Sequence, residues 1–333
     1  MGSERTAHLH ASGARVLITG ATGFVGRAVV ERLSRDRVEV TATGRSDAAF
    51  ADGVRFVRVG DLGATTDWSA ALRGCAAVVH CAARVHVMQD GSVDPLAAYR
   101  TANVDGSLAL AQQAAAAGIR RFIFISSIKV NGEATVLGTP FRATDRPNPV
   151  DPYGISKFEA EQALQRLADT GAIDLVIIRT PLVYGAGVKA NFLSMARWIS
   201  RGVPLPFGGI TSNRRSFVAL ANLVDLIVTC IQRDEAVGQV LLVSDGEDLS
   251  TAELLRRTAR ALGVPARLLP IPAGALALAA RLLGRADLWQ RLGGTLQVDS
   301  APTRQRLNWT PPVSVDEGLR AAVAGLAAVQ RAR

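Results

Sequence analysis

Short apolar runs alternate with amphipathic stretches through the first half of this chain. The runs at 15–19, 38–43, 55–59, 77–81, 121–126 and 175–179 read as strands. Several are continuously apolar, as strands are when both faces of their sheet are covered. The stretches at 23–33, 95–117 and 153–168 between them read as helices. Strand and helix at this spacing predict parallel βαβ units, hence an α/β fold with a doubly wound parallel sheet. After residue 179 the rhythm breaks. Residues 180–213 are rich in Gly and Pro, with one helix at 192–199; a helix at 222–232 follows, then a late strand at 240–244 that returns to the sheet. Ser250 with Glu253, and Ser314 with Glu317, make capping-box patterns that open two further helices, the first ending at Leu262. The predicted organisation is a sheet domain over 13–180, a smaller interleaved C-terminal lobe over most of 181–330, and a loose leader over 1–12.

Composition narrows the class without changing that outline. With 48% hydrophobic and 20% charged residues, the 333-residue chain is not a disordered one. Its glycines cluster without a period, which excludes collagen-like and repeat architectures. The formal charge is +9, but the arginines are scattered, with no basic run and no interleaved aromatics, so no nucleic-acid partner is expected. Cys75, Cys81 and Cys230 are odd in number and far from CxxC spacing, which points to a reducing compartment with neither disulfide framework nor metal site. No uninterrupted apolar run reaches the roughly 18 residues of a membrane span; the best, 273–283, is short and contains Arg281. The leader lacks an apolar core, so a cytoplasmic protein with no membrane insertion is expected.

The candidate chemistry sits where the strands end. Directly after the first strand comes Gly20-Ala21-Thr22-Gly23-Phe24-Val25-Gly26, opening the first helix. Three glycines at this spacing make a tight turn, let backbone approach a pyrophosphate, and let helix and strand pack closely; the helix N-terminus supplies N–H groups. In that context the run predicts a Rossmann-type dinucleotide site. The second strand ends in Thr43-Gly44-Arg45-Ser46, without the acid that grips an NAD ribose. Arg45 and Ser46 instead suit a 2′-phosphate, which favours NADP(H), with NAD(H) possible. Asp61 and Leu62 after the third strand suit adenine; Cys81, Ala82 and Ala83 end the fourth strand on the nicotinamide side.

Tyr153 and Lys157 stand at i and i+4, on one helix face. A lysine there is expected to lower the phenol's pKa and to hold the nicotinamide ribose. Ser127, 26 residues upstream, ends the fifth strand at the same crevice. The serine holds a substrate oxygen while the tyrosine gives or takes its proton; the hydride chemistry belongs to the cofactor.

Together these residues resemble the extended short-chain dehydrogenase/reductase family, in its nucleotide-sugar epimerase/dehydratase group. The resemblance runs from residue 15 to about 326 and includes the glycine loop, Asp61-Leu62, His80 to Ala83, Asn103, Ser126-Ser127, Tyr153 with Lys157, and Arg179 through Pro181 to Gly185. It implies that Ser127, Tyr153 and Lys157 are catalytic, that Asn103 and Pro181 adjoin the cofactor, and that the second lobe binds a UDP-sugar. Asn191 then meets the diphosphate, and Arg214 and Arg215 grip the nucleotide. Ser126, Lys129, His86 and Met88 are candidates to line the sugar, His86 reading otherwise as a loop residue without chemistry. Helices 95–117 and 153–168 are those that such enzymes pair in a homodimer.

Departures from the family pattern narrow the reading. Ile128-Lys129 replace the Asp-Glu of sugar dehydratases, so water elimination is not expected. Asn131, Ser216, Ala219 and Gly44 replace residues common in 4-epimerases. The closest resemblance is to enzymes acting at C4 of UDP-N-acetylated sugars in bacterial surface polysaccharide synthesis. Gly44-Arg45 favours an NADP(H)-dependent reductase of a UDP-4-keto-6-deoxy-N-acetylhexosamine over a UDP-sugar 4-epimerase. A non-catalytic dinucleotide sensor is the third reading, against which Tyr153 and Lys157 both stand.

Overall fold

The computed structural model describes residues 15–85, 94–188 and 190–331. The leader, His86 and Met88 lie outside the described residues. Among those described, a seven-stranded parallel sheet runs in the order β3-β2-β1-β4-β5-β6-β9. Its strands are β1 (Arg15–Thr19), β2 (Val40–Gly44), β3 (Val54–Arg58), β4 (Cys75–His80), β5 (Arg121–Ser127), β6 (Asp174–Thr180) and β9 (Gln239–Leu242). The order reverses between β1 and β4, which opens a crevice at the carboxyl ends of these strands. The strand read at 38–43 begins later, at Val40. Arg37 turns the chain with φ 59°, and the Val38 N–H closes back on Leu33 O, so Val38 belongs to the helix exit, while Glu39 O already accepts Val16 N of β1.

Alternation along each strand feeds two cores. On one face Val16 and Ile18 of β1 pack with Val29, Val30 and Leu33 of α1 (Phe24–Arg35). On the other, Leu17 packs with Phe122, Phe124, Leu110 and Leu164. All are at most 2% exposed, which is the period-2 pattern of a strand covered on both sides.

The helix expected over 95–117 is three pieces: α2 (Pro95–Arg100), a π-helical turn (Thr101–Asp105) and α3 (Gly106–Ala116). A π turn inserts one residue and rotates the helix beyond it. Here it points Asn103 inward, and it brings Gly106 so near Leu62 and Gly63 that a Cβ would lie 3.0 Å from each. Helix α4 (Pro152–Asp169) follows β5 and leads into β6.

The second half forms the smaller lobe. It holds β7 (Leu182–Tyr184) paired with β8 (Phe217–Ala219), α5 (Ala190–Ser200), α7 (Thr251–Leu262), α8 (Ala273–Leu282), α9 (Ala286–Gly293) and α10 (Val315–Arg331). Between β8 and β9, α6 (Leu220–Gln232) crosses back under the sheet and β9 pairs with β6. The capping box at α7 is reciprocal: Ser250 N donates to Glu253 Oε2 at 2.8 Å and Glu253 N to Ser250 Oγ at 3.2 Å. Ser314 and Glu317 repeat it at α10.

Candidate active site

The glycine turn is fixed by close approaches. Gly20 has φ +64°, and a Cβ on it would lie 2.8 Å from the Ala82 backbone; a Cβ on Gly26 would lie 2.3 Å from Gly20 O. Gly23 caps α1 with no side-chain hydrogen bond, and the first turn holds no acid. The opening N–H groups of α1 therefore meet neither a capping side chain nor a carboxylate. That arrangement fits a dinucleotide pyrophosphate. Phe24 and Val25 turn their side chains into the core, so what they offer a ligand is backbone. Gly26→Ala should cost about 1–3 kcal/mol of stability and weaken NADH binding, read by urea unfolding and by fluorescence titration. Wild-type values in both would mean that the close packing does not shape the cradle.

Just past the ends of β2 and β3, where adenine is expected, Arg45 and Asp61 face each other at 3.3 Å, 80% and 87% exposed. Gly44 is a close approach as well: a Cβ there would lie 2.9 Å from Thr22 Cγ2. A side chain at position 44 would crowd Thr22, and Asp61 places a carboxylate beside Arg45. Ser46 is exposed, and Leu62 packs partly against the core.

Behind the end of β4, where the nicotinamide is expected, runs a buried polar chain. Ser107 Oγ donates to Asn103 O at 2.6 Å, so it accepts from His80 Nε2 at 2.8 Å. That assigns the Nε2–H tautomer. His80 Nδ1 then accepts from Thr19 Oγ1 at 2.7 Å, and Thr19 Oγ1 accepts from Ala82 N at 3.2 Å. Burial, with Lys157 nearby, holds His80 neutral, its pKa pulled down to about 3. Since the unfolded chain binds the extra proton below about pH 6.5, the folded state should lose stability as pH falls from about 6.5 to about 3, by up to about 1.4 kcal/mol per unit. Unfolding free energies across this window should show a shallower slope for His80→Gln; equal slopes would remove the group from the titration.

Asn103 is 1% exposed. Its side chain accepts from Arg84 N at 2.8 Å and donates to Arg84 O and Ser156 Oγ. It secures the Ala82–Arg84 segment and presents no free polar atom to the crevice. Cys81 is half-buried, and burial pushes its thiol up to about 12. Pro181 is buried between β6 and β7.

Ser127, Tyr153 and Lys157 come together at the carboxyl end of β5. Ser127 ends β5 and accepts Lys129 N with its Oγ at 3.3 Å. Tyr153 stands in the first turn of α4, near enough to Ser127 for that hydroxyl to favour the ionised phenol, is partly exposed, and meets Tyr99 edge-on at 6.2 Å. Gly154 makes this approach possible: a Cβ there would lie 3.1 Å from Lys129 O. Lys157 is 1% exposed, with Nζ 3.8 Å from the Phe124 ring centroid.

One expectation is corrected here. Burial pushes the Tyr153 phenol up to about 12, Asp151 and Tyr99 adding to the rise while the Ser127 hydroxyl opposes it. The lysine expected to lower it is itself brought down to about 7 by burial, against the attraction of Glu161. Burial thus favours the neutral form of both the phenol and the amine.

Two residues expected at the sugar have other partners. Ser126 points to the opposite face from Ser127, donates to Glu161 Oε1 at 2.5 Å and is 2% exposed. Arg179 grips the same carboxylate bidentately and donates to Asn131 Oδ1 at 2.9 Å. Ser126 is therefore a positioning residue that anchors the end of β5. Lys129 is paired with Glu133 at 2.9 Å and with Asp151. In the lobe, Arg215 donates to Gly294 O at 3.1 Å and Gln290 O at 3.4 Å, and burial lowers its pKa despite Glu133. Arg214 donates to Thr211 O and Asn213 O. Arg215 thus ties β8's approach to the end of α9 through the Gln290 and Gly294 carbonyls. Asn191 lies in the first turn of α5; its side chain is outside the described atoms.

Glu161, Asp151 and Tyr99 escaped the sequence reading. Glu161 had a signal: it repeats the Tyr153/Lys157 helix face one turn later. Asp151, as N-cap of α4, had another, since it precedes Pro152 at the helix start.

The sequence pattern of the "NAD dependent epimerase/dehydratase family" matches residues 16–243. Over 305 residues the chain is 49% identical to a UDP-glucose 4-epimerase of Vibrio cholerae, covering 92% of this chain and 93% of that protein. Among solved structures, the UDP-glucuronic acid 4-epimerase of Bacillus cereus in complex with NAD aligns with TM-score 0.74 at 21% identity, covering 93% of this chain and 95% of that one. A UDP-glucose 4-epimerase of Thermotoga maritima with UDP-glucose also gives 0.74, at 22% identity, covering 95% and 99%. At these identities the structural likeness shows a shared fold.

Proposed function

The chain belongs to the NAD dependent epimerase/dehydratase family, and from that premise we propose that it interconverts the C4 epimers of a UDP-sugar. The observation that carries the reading is the Ser127–Tyr153 hydroxyl pair at the crevice that also holds the glycine cradle. The cradle and the opening of α1 would hold the pyrophosphate of NAD, and Lys157 its ribose; bound there, NAD supplies reversible hydride exchange. Tyr153 moves the proton at the sugar O4, and Ser127 orients that oxygen. Arg215, with Arg214 and Asn191, meets the diphosphate of the UDP.

The ketoreductase reading now ranks second. Its ground was a cation without an acid at the second strand's end, and Asp61 beside Arg45 weakens that ground. The Vibrio cholerae relative adds weight to epimerisation. NADP(H) use stays attached to the second reading through the exposed Arg45. A homodimer formed through α2–α3 and α4, and a cytoplasmic setting in surface polysaccharide synthesis, complete the proposal; light scattering tests the dimer.

The deciding experiment supplies UDP-glucose and UDP-GlcNAc with NAD, and separately a UDP-4-keto-6-deoxy sugar with NADPH. C4 epimers forming with no net change in cofactor are expected. Stoichiometric NADPH oxidation, seen with the ketone alone, would overturn the ranking.

A further inference from the structure

Two adjacent helices of the smaller lobe hold leucines out into solvent. α8 and α9 pack on each other, and neither contains a buried residue. Leu278, Leu282, Leu283 and Leu288 are 59%, 78%, 76% and 46% exposed. Leu278 and Leu282 lie one turn apart on a single face of α8, and Leu283 follows at its end. A surface helix ordinarily turns its leucines toward the core; α8 turns Leu278 and Leu282 away from it. Trp198 and Leu269 are exposed in the same lobe. Beside the leucines stand the exposed cations Arg281, Arg285 and Arg291, against one acid, Asp287, in the span 273–293.

We propose that the α8–α9 hairpin docks on the anionic surface of a phospholipid bilayer. The leucines enter the boundary between headgroups and acyl chains, and the arginines meet lipid phosphates. No described helix is long and apolar enough to cross a membrane, so the hairpin lies in the interface. Charge favours this occupant over a second copy of the chain. A two-fold contact through this face would set its arginines against their own kind, whereas an anionic surface neutralises them. The docked face is tied to the substrate lobe, since Gln290 O and Gly294 O at the end of α9 receive Arg215.

The inference goes beyond the proposed reaction, and its primary readout is binding to vesicles. Wild-type protein is floated with vesicles of phosphatidylcholine alone or with about one-third phosphatidylglycerol. At least about tenfold more protein is expected on the anionic vesicles, reduced at high salt. Leu282→Asp/Leu283→Asp should abolish flotation while thermal unfolding and UDP-sugar turnover in solution stay at wild-type values. Should that variant fail to fold, Arg281→Ala/Arg285→Ala decides, by losing the preference for anionic vesicles. Equal recovery on both vesicle types, or folded leucine variants that float like wild type, overturns the proposal. So does a wild-type oligomer that the leucine substitutions dissociate, since a second copy would then cover the face.

Discussion

Turnover should fall by about 10²–10⁴-fold when Tyr153 is replaced by phenylalanine, while NADH and UDP still bind within about twofold of wild type. Phenylalanine keeps the ring that meets Tyr99 edge-on at 6.2 Å and deletes only the hydroxyl that pairs with Ser127. The loss is therefore one of proton transfer, visible in kcat and little in KM. Ser127→Ala should show a smaller loss of the same kind, because the phenol remains to carry the proton. Steady-state rates with titration calorimetry for the two ligands separate these outcomes. A Tyr153→Phe enzyme with wild-type kcat would remove the phenol from the chemistry.

Breaking the buried ion pair should be the most destabilising single change, about 3–5 kcal/mol for Arg179→Met. Arg179 and Glu161 are each 5% exposed and meet at 2.6 Å. Taking away the guanidinium strands a carboxylate in the core, next to Ser126 and behind the end of β5. Replacing both partners, as Arg179→Met/Glu161→Leu, should recover much of the loss, since it leaves no uncompensated charge. Urea unfolding of the two single variants and the double variant completes the cycle. The anchoring of Ser126 and Asn131 predicts a second effect: Glu161→Gln should lower kcat more than it alters KM, through a displaced Ser127. An Arg179→Met cost under about 1 kcal/mol would mean that the pair does not hold this strand end.

The features legible in the sequence were local ones. The bounds of β1 follow from its apolar run and the glycine turn that stops it, and the Ser250–Glu253 box announces α7 because capping involves near neighbours. The meeting of Ser127 with Tyr153 was legible for a topological reason: a parallel sheet brings strand ends and helix starts to one edge. The rest depended on side chains far apart in the chain. Strand alternation says that Ser126 faces away from Ser127, but not that Glu161 and Arg179 wait there. Asp61 reaches Arg45 only because β2 and β3 are neighbours. The rise in the phenol's pKa depends on depth, which no spacing encodes. The π turn leaves no compositional trace, being a shift of one residue within an otherwise helical stretch.

The sheet's outermost strand has a consequence for how the protein is made. β9 arrives roughly sixty residues after β6 has left the ribosome, a wait of about 3–12 seconds at ordinary elongation rates. Throughout that interval the nascent chain carries a bare row of strand hydrogen-bonding groups, open to any other unfinished copy. A gene fragment stopped after Thr180 should therefore yield aggregate in place of a soluble nucleotide-binding half, and translation pauses within the β7–β8 stretch should lower the yield of the whole protein.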